Sequence, residues 1–223
     1  MDARGFNGEV EILAGADGVV EAETELKIPD RVSYSATVSG NTVSVIAKKI
    51  GNGITIGRSP QAEIHLIVPA RSTITAHTSD GPLIIVGITG NGDLETSNGK
   101  ITIKNVNGQF NSSTSNGSVQ MLNVVGEFDA KTSNGKILYS GTFTSGGDNE
   151  FSTSNGSIGI TFNDEPDVEL DARTSNGTVK TDRSILATVN GSSLNNRAHL
   201  EGKYGAGSAF LELTTSNGSI NIH

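Results

Sequence analysis

A four-residue motif, Thr-Ser-Asn-Gly, recurs six times in the second half of this chain and constrains its fold more than any other feature. The copies begin at Thr96, Thr114, Thr132, Thr153, Thr174 and Thr215, at steps of 18, 18, 21, 21 and 41 residues. A variant copy, Thr78-Ser79-Asp80-Gly81, extends the 18-residue step backwards. A fixed period near 20 residues is typical of a solenoid, in which each repeat buries its apolar face on its neighbours.

Apolar residues alternate after six of the seven Asn-Gly or Asp-Gly copies, which predicts a strand with one buried face. The alternating pairs are Leu83/Ile85, Ile101/Ile103, Val119/Met121, Ile137/Tyr139, Ile158/Ile160 and Ile220/Ile222. A second short strand follows, entered at Gly92, Gly108 and Gly126 in the first three units. Parallel connections are overwhelmingly right-handed. We therefore predict an all-β fold, a right-handed parallel β-helix or related β-solenoid with coils of 18–21 residues.

The repeated motif has the residue types that a tight corner needs. Asn-Gly tolerates positive φ, and stacked Thr, Ser and Asn side chains can form ladders of hydrogen bonds. We assign a structural corner ladder to Asn98, Gly99, Asn116, Gly117, Asn134, Gly135, Asn155, Gly156, Asn176, Gly177, Asn217 and Gly218. The alternative is a repetitive polar surface for a ligand, whose contacting residues the sequence does not identify.

The whole chain, 1–223, is predicted to form one solenoid domain. Residues 1–76 would be irregular N-terminal coils, and 77–223 the regular coils with a loop near 190–207. Aromatic residues make up only 4% and there is no Trp, so we expect a thin core of Ile, Val and Leu. The chain stops at Ile222-His223, within the first strand of a coil. We expect an open ladder edge there, through which homo-oligomers could form.

The charge of the chain excludes several classes of partner. A net charge of −8 and a pI near 5.0 argue against nucleic acid and against an anionic membrane surface. With no Cys, disulfides and thiolate metal sites are excluded. No apolar run is long enough to span a membrane, and no signal peptide opens the chain. We expect an extracytoplasmic location at the cell envelope, with any signal or anchor upstream.

The sequence offers no catalytic constellation. The four histidines, His65, His77, His199 and His223, are not in metal-ligand spacing, and no serine lies in a nucleophile-elbow motif. We therefore expect no enzyme activity, no cofactor and no metal. Weak candidates for Ca²⁺ are Asp164, Glu165 and Asp167, against the alternative of a solvated loop.

One enzymatic alternative is a polysaccharide-acting β-helix. A hydrolase needs two carboxylates at suitable separation, which neighbouring coils could supply. Asp93 and Glu127 would lie in one row two units apart, but Gln109 between them breaks that row. Glu127 and Asp129 share one strand and would point the same way.

Several motifs together resemble a known bacterial family. They are a Gly-x-Ile/Val strand start near the N-terminus, Val68-Pro69, the reiterated Thr-Ser-Asn-Gly-x-Ile units, and Gly205-Ala206-Gly207 before the last copy. This pattern is similar to DUF4097, a family of β-strand-repeat proteins that also carries an adhesin label and is related to head-GIN and toastrack-type domains. The resemblance covers nearly the whole chain and implies a β-helical, envelope-associated domain. It supplies no catalytic residues.

The resulting hypothesis is a non-catalytic cell-envelope module that binds a surface ligand, with an envelope glycan or protein as partner. The alternatives are the polysaccharide-acting enzyme and a self-associating structural or sensor domain.

Overall fold

The computed structural model describes residues 1–51, 59–186 and 198–223. Within these ranges, twenty strands are linked by turns, with one 3₁₀ helix at Pro29–Arg31. The strands are β1 Asp2–Arg4, β2 Val10–Gly15, β3 Glu21–Lys27, β4 Val32–Ser39, β5 Thr42–Lys49, β6 Gln61–Pro69, β7 Ile74–Thr78, β8 Leu83–Val86, β9 Thr89–Thr96, β10 Ile101–Lys104, β11 Asn107–Thr114, β12 Val119–Thr132, β13 Ile137–Phe143, β14 Asp148–Asn155, β15 Ile158–Phe162, β16 Val168–Asn176, β17 Val179–Thr181, β18 His199–Tyr204, β19 Ala209–Asn217 and β20 Ile220–Ile222.

The strands stack into two ladders, and most neighbours within each ladder run parallel. Ladder A runs in the order β3, β6, β2, β8, β10, β12, β13, β15, β20, β17. Ladder B runs in the order β4, β5, β1, β7, β9, β11, β12, β14, β19, β16, β18. The long strand β12 turns a corner and belongs to both. The fold is therefore all-β and of solenoid type, as the repeat predicts.

The two ends of the chain do not stack in sequence order. The first coil, β1 and β2, lies between the coil of β5 and β6 and the coil of β7 and β8. At the other end, β19 and β20 lie between the coil of β14 and β15 and the coil of β16 and β17. Each terminal segment thus fills a slot between two coils.

This insertion overturns the expectation of an open edge at Ile220–Ile222. Strand β20 pairs in parallel with β15 on one side and with β17 on the other. The 41-residue interval supplies the reason. After the Thr174 coil, the chain returns as β18, antiparallel to β16, and then enters the slot beside β14. The loop predicted near 190–207 lies partly outside the described residues, and its described part contains strand β18.

Antiparallel strands form edges at both ends of the stack. Strand β3 pairs with β6 and β4 pairs with β5 at one end, while β18 pairs with β16 at the other. Across the described residues, no helix has the length and apolar character needed to cross a membrane.

The core is not built from aliphatic residues alone, contrary to the expectation from composition. Seven Phe and three Tyr make ten aromatic residues, and seven of these ten form one continuous chain of ring contacts along the solenoid axis. Tyr139 stacks on Phe143 with ring centroids 4.4 Å apart. The contacting rings are Phe110, Phe128, Tyr139, Phe143, Phe151, Phe162 and Tyr204. Composition counts the rings but does not show that they contact one another in one continuous cluster.

Candidate functional site: an acidic face on ladder B

Carboxylates form a row across the outward face of ladder B. The strand registers place nine residues side by side, from one coil to the next: Asp2, Thr75, Asp93, Asn111, Asp129, Glu150, Glu212, Asp171 and Glu201. We call this set the acidic row. Neighbouring strands in a sheet are about 4.8 Å apart. The last five members are consecutive carboxylates, so negative charge accumulates along this half of the face.

A second row, two residues further along each strand, supplies a partial counter-charge. Lys131 Nζ lies 2.8 Å from Glu150, and Arg173 Nε donates to Asp171 at 2.7 Å. The hydrogen bond to Glu150 raises the pKa of Lys131, and the hydrogen bond to Asp171 raises that of Arg173. His199 Nε2 also approaches Asp171 at 3.1 Å. Lys131 and Arg173 hold individual carboxylates in place but are fewer than the acids they face.

Glu212 is an exposed member of the row with a carboxylate on either side of it. It lies between Glu150 and Asp171 on the adjacent strands. No ion-pair partner reaches it from the described part of the chain, and its side chain is exposed. Like charges directly opposite one another on a sheet are unfavourable. A cationic group from outside the protein would therefore be attracted to this part of the row.

The opposite half of the row is less acidic and more contoured. A shallow depression of about 240 Å³ lies between Asp93 and Lys131 and is floored by Asn111 and Ser113. Its amide and hydroxyl groups can both donate and accept hydrogen bonds. The acidic face thus combines a charged half with a polar, grooved half.

The Thr-Ser-Asn-Gly corners form a separate, regular arrangement. Each Asn donates from Nδ2 to the Oδ1 of the Asn in a neighbouring coil, as from Asn116 to Asn98 at 2.7 Å. The same contact links Asn134 to Asn116, Asn155 to Asn134, Asn217 to Asn155, and Asn176 to Asn217. The first Asn98 donates to Asp80 at 2.7 Å. A carboxylate suits this end of the ladder because it needs only to accept.

The corner glycines are required for a different reason from the one the sequence suggested. The Asn-Gly motif suggests positive φ at corner glycines such as Gly117, but the glycines with positive φ are others, including Gly108 and Gly126. A Cβ on Gly117 would lie 1.8 Å from the carbonyl oxygen of Gly99 in the preceding coil. The same close approach recurs at Gly99, Gly135, Gly156, Gly177 and Gly218. The glycines let successive backbones touch.

A family model for Toastrack DUF4097 matches residues 70–223, which is more than half of the chain and includes all seven corner motifs. The chain belongs to the Toastrack DUF4097 family. No curated protein matches it. Among solved structures, it is similar to a putative cell adhesion protein from Clostridium sporogenes ATCC 15579, with 11% identity and a TM-score of 0.37. That alignment covers 99% of this chain and 90% of the other.

The three weak calcium candidates of this DUF4097 chain do not converge. Asp164 accepts a hydrogen bond from the Thr142 hydroxyl at 2.7 Å, while Glu165 extends into solvent near Arg183. Asp167 accepts backbone N–H groups of Gly207 and Ser208 at 2.7 and 3.2 Å. Hydrogen bonds from Ser208, followed by that from Gly207, lower the pKa of Asp167. These carboxylates therefore have separate contacts, and Asp167 organises the turn at 205–208.

One mixed cluster was not anticipated. Glu9, Glu11 and His65 bring ligand-type atoms within 4.8 Å of one another on the outward face of ladder A. His65 Nδ1 lies 3.1 Å from Glu11 Oε2. Sequence reasoning treated His65 as isolated because Glu11 is 54 residues away, and only the insertion of β2 beside β6 brings them together.

The carboxylate pairing considered for a polysaccharide-acting enzyme also changes with the observed register. Asp93 aligns with Asn111 and Asp129, whereas Glu127 aligns with Gln109 and Asn91. Asp93 and Glu127 therefore lie in different rows, and the predicted row through Gln109 is wrong.

A signal for the acidic row was nevertheless present in the sequence. Seven of its nine members stand three residues before the Thr of a Thr-Ser-Asn-Gly or Thr-Ser-Asp-Gly motif. Aligning the chain on those threonines gives Thr75, Asp93, Asn111, Asp129, Glu150, Asp171 and Glu212 at this one position. The carboxylates in that column mark the face.

Proposed function

We propose that this DUF4097 domain is a non-catalytic, adhesin-like binding module of the cell envelope that recognises its ligand through the acidic face. The observation that carries the proposal is the run of five consecutive carboxylates from Asp129 to Glu201 in the acidic row. Solenoids commonly use extended surfaces of this kind for binding.

The charge of the face determines the class of ligand. A surface of one sign attracts a partner of the opposite sign and raises its association rate. With a net charge of −8 for the chain, we propose a cationic ligand, such as a lysine- or arginine-rich segment of an envelope protein or a glycan bearing amino groups. The polar groove between Asp93 and Lys131 would add hydrogen bonds to that contact.

A binding role also fits the way the acids are held. Members of the acidic row lie on rigid strands and recur once per coil, so they present one repeated chemical feature rather than a single reactive centre. A hydrolase instead needs two carboxyl groups with distinct acid and base roles. We therefore propose no catalytic residue and no cofactor.

We further propose that residues 1–223 form a single right-handed solenoid and that it works outside the cytoplasm. The parallel connections between successive coils support the handedness, because such crossovers are right-handed in nearly all proteins. The two ladders run through both the N-terminal coils and the repeat coils, which supports a single domain.

The direct test is saturable binding of the purified chain to bacterial envelope fractions and to a panel of purified glycans, measured with and without Ca²⁺. We expect saturable binding that weakens as salt rises, because exposed charges are screened. Absence of binding to every fraction would contradict the proposal. Release of reducing sugar from any glycan would instead favour the polysaccharide-acting enzyme.

A further inference from the structure

Strand β4 is a terminal strand of ladder B with an unusual composition. Its eight residues, Val32 to Ser39, include no charged residue and no Pro, although the chain as a whole carries a net charge of −8. Within the described parts of the chain, β4 pairs only with β5. Exposed edge strands normally carry charges or Pro that prevent pairing with another chain.

The other terminal strand at this end has that protection. Strand β3 carries Glu21, Glu23, Glu25 and Lys27 on one face. Lys27 Nζ lies 2.7 Å from Glu63 on the neighbouring strand. Of the two edge strands at this end of the solenoid, β3 therefore carries charges that oppose pairing with another chain, and β4 does not.

The side chains of β4 alternate in two chemical classes. Val32, Tyr34, Ala36 and Val38 lie on one face, and Ser33, Ser35, Thr37 and Ser39 lie on the other. The apolar face is continuous with the core, because Tyr34 is opposite Ala47 and Ala36 is opposite Val45, and both partners are buried. Yet Tyr34 and Val38 are 40% and 73% exposed. Val32 is buried and the Tyr34 hydroxyl accepts a hydrogen bond from Thr24 on β3 at 3.4 Å, but Tyr34 and Val38 leave much of this apolar face exposed at the end of the solenoid.

The backbone of β4 also has N–H and C=O groups that do not bond to β5. The Ile50 N–H donates to the Arg31 carbonyl oxygen at 2.8 Å, which identifies 31 and 50 as a hydrogen-bonded pair of the β4–β5 hairpin. Since hydrogen-bonded and non-hydrogen-bonded pairs alternate in antiparallel ladders, the odd-numbered residues of β4 bond to β5. The N–H and C=O groups of Val32, Tyr34, Ala36 and Val38 then point to the free edge.

We propose that β4 pairs antiparallel with β4 of a second copy of this chain, about a two-fold axis at Ser35. In this register, Val32 is opposite Val38 and Tyr34 is opposite Ala36, while hydroxyl residues are opposite hydroxyl residues on the other face. Every even-numbered residue of β4 gains a hydrogen-bonded partner. Although the chain carries a net charge of −8, β4 itself brings no charge into this contact.

The partner is a second copy because β4 is complementary to itself. An isologous contact places the same patch on both subunits, so each residue type must tolerate its counterpart. The alternation of apolar and hydroxyl residues satisfies this condition along the whole strand. The contact lies at the end of the solenoid and includes no member of the acidic row. The first member of that row, Asp2, lies on β1, which is separated from β4 by β5. It is independent of the proposed ligand.

The test measures the molar mass of the native chain by light scattering from low micromolar to millimolar concentration. We expect a reversible dimer. The variant Ala36→Lys places charges next to the two-fold axis and should weaken dimerisation at least tenfold. The matched control is Ala16→Lys, which adds the same charge on an exposed loop residue outside β4 and should dimerise like the native chain.

A second measurement does not depend on the Lys variants folding. The native chain has no Cys, so single cysteines report only on the contact in which they lie. Under mild oxidation, Ser35→Cys should form a covalent dimer, because opposing Cα atoms of a non-hydrogen-bonded pair are within disulfide range. Ser113→Cys, exposed on the middle of ladder B, should not. The inference is overturned if the native chain stays monomeric, if Ala36→Lys dimerises normally, or if the two cysteine variants cross-link equally.

Discussion

The hydroxyl of Thr114 donates a hydrogen bond to the carbonyl oxygen of Gly99 at 3.1 Å, linking the buried first residue of one corner motif to the last residue of the motif before it. Equivalent bonds join Thr96 to Gly81, Thr132 to Gly117, Thr153 to Gly135, Thr215 to Gly156 and Thr174 to Gly218. All of these threonines are buried. The motif therefore repeats because three of its residues contact the adjacent coil: Thr bonds to the Gly carbonyl, Asn bonds to Asn, and Gly allows the approach.

Replacing Thr114 with Val should destabilise the fold by about 1–3 kcal/mol, because the Gly99 carbonyl loses its buried donor while the side-chain shape is kept. The free energy of unfolding in denaturant measures this loss. Thr161→Val is the control, since Thr161 is exposed on β15 and should change stability by less than about 0.5 kcal/mol. Equal effects at the two sites would show that the corner hydroxyl is unimportant.

Gly117→Ala should cost about 2–3 kcal/mol or more, because the new Cβ would overlap a backbone oxygen that cannot move aside without separating two coils. Gly159→Ala provides the comparison. There the nearest atom is the end of the Leu138 side chain at 3.0 Å, so the change should be neutral or slightly stabilising. Thermal and denaturant unfolding should rank the two variants in this order, and the reverse ranking would refute the close-approach explanation.

Tyr139→Phe should stabilise the protein by about 1–2 kcal/mol. Among the described residues, the Tyr139 hydroxyl has no hydrogen-bond partner although it is buried, and that burial raises its pKa. Tyr204→Phe should do the opposite and cost about 1 kcal/mol, because the Tyr204 hydroxyl lies 2.7 Å from that of Thr181. A destabilised Tyr139→Phe would mean that the buried hydroxyl does find a donor or acceptor in solution.

The turn at 205–208 should loosen in acid. The pKa of Asp167 is lowered in the folded state, so its hydrogen bonds stabilise the turn above the ordinary carboxyl pKa of about 4 and are lost as pH falls through the lower, folded value. The amide resonances of Gly207 and Ser208 should shift together below that pH. Asp167→Asn should remove the transition, whereas Asp164→Asn should leave it intact. A titration that survives in Asp167→Asn would assign it to another group.

The regular coils were predictable because each contains the corner motif followed by an alternating apolar pair. The apolar pairs at Ile101/Ile103 and Val119/Met121 are buried and paired in register, as their alternation indicates. The order of the terminal coils was not predictable. Thr215 bonds to Gly156, which lies 59 residues earlier. Because the motif is identical in every copy, its sequence does not specify which two copies will be neighbours.

The acidic row was missed for a related reason. Up to Asp129 its members follow the sequence order of the coils, but Glu150, Glu212 and Asp171 become neighbours only because β19 enters between β14 and β16. In sequence order Asp171 would follow Glu150 and Glu212 would be last. The individual carboxylates could be found by aligning the motifs, whereas their contiguity depends on the fold.

The most direct measurement of the binding role is calorimetric titration of an oligolysine probe into the double variant Glu150→Gln/Glu212→Gln, beside the native chain. The control is Glu21→Gln/Glu25→Gln, which removes the same charge from exposed positions on β3. The account predicts that the native chain and the control bind with similar affinity, while the acidic-row variant binds at least tenfold more weakly at an unchanged melting temperature. Equal affinity of all three proteins would contradict it, because the attraction would then come from net charge and not from the acidic face.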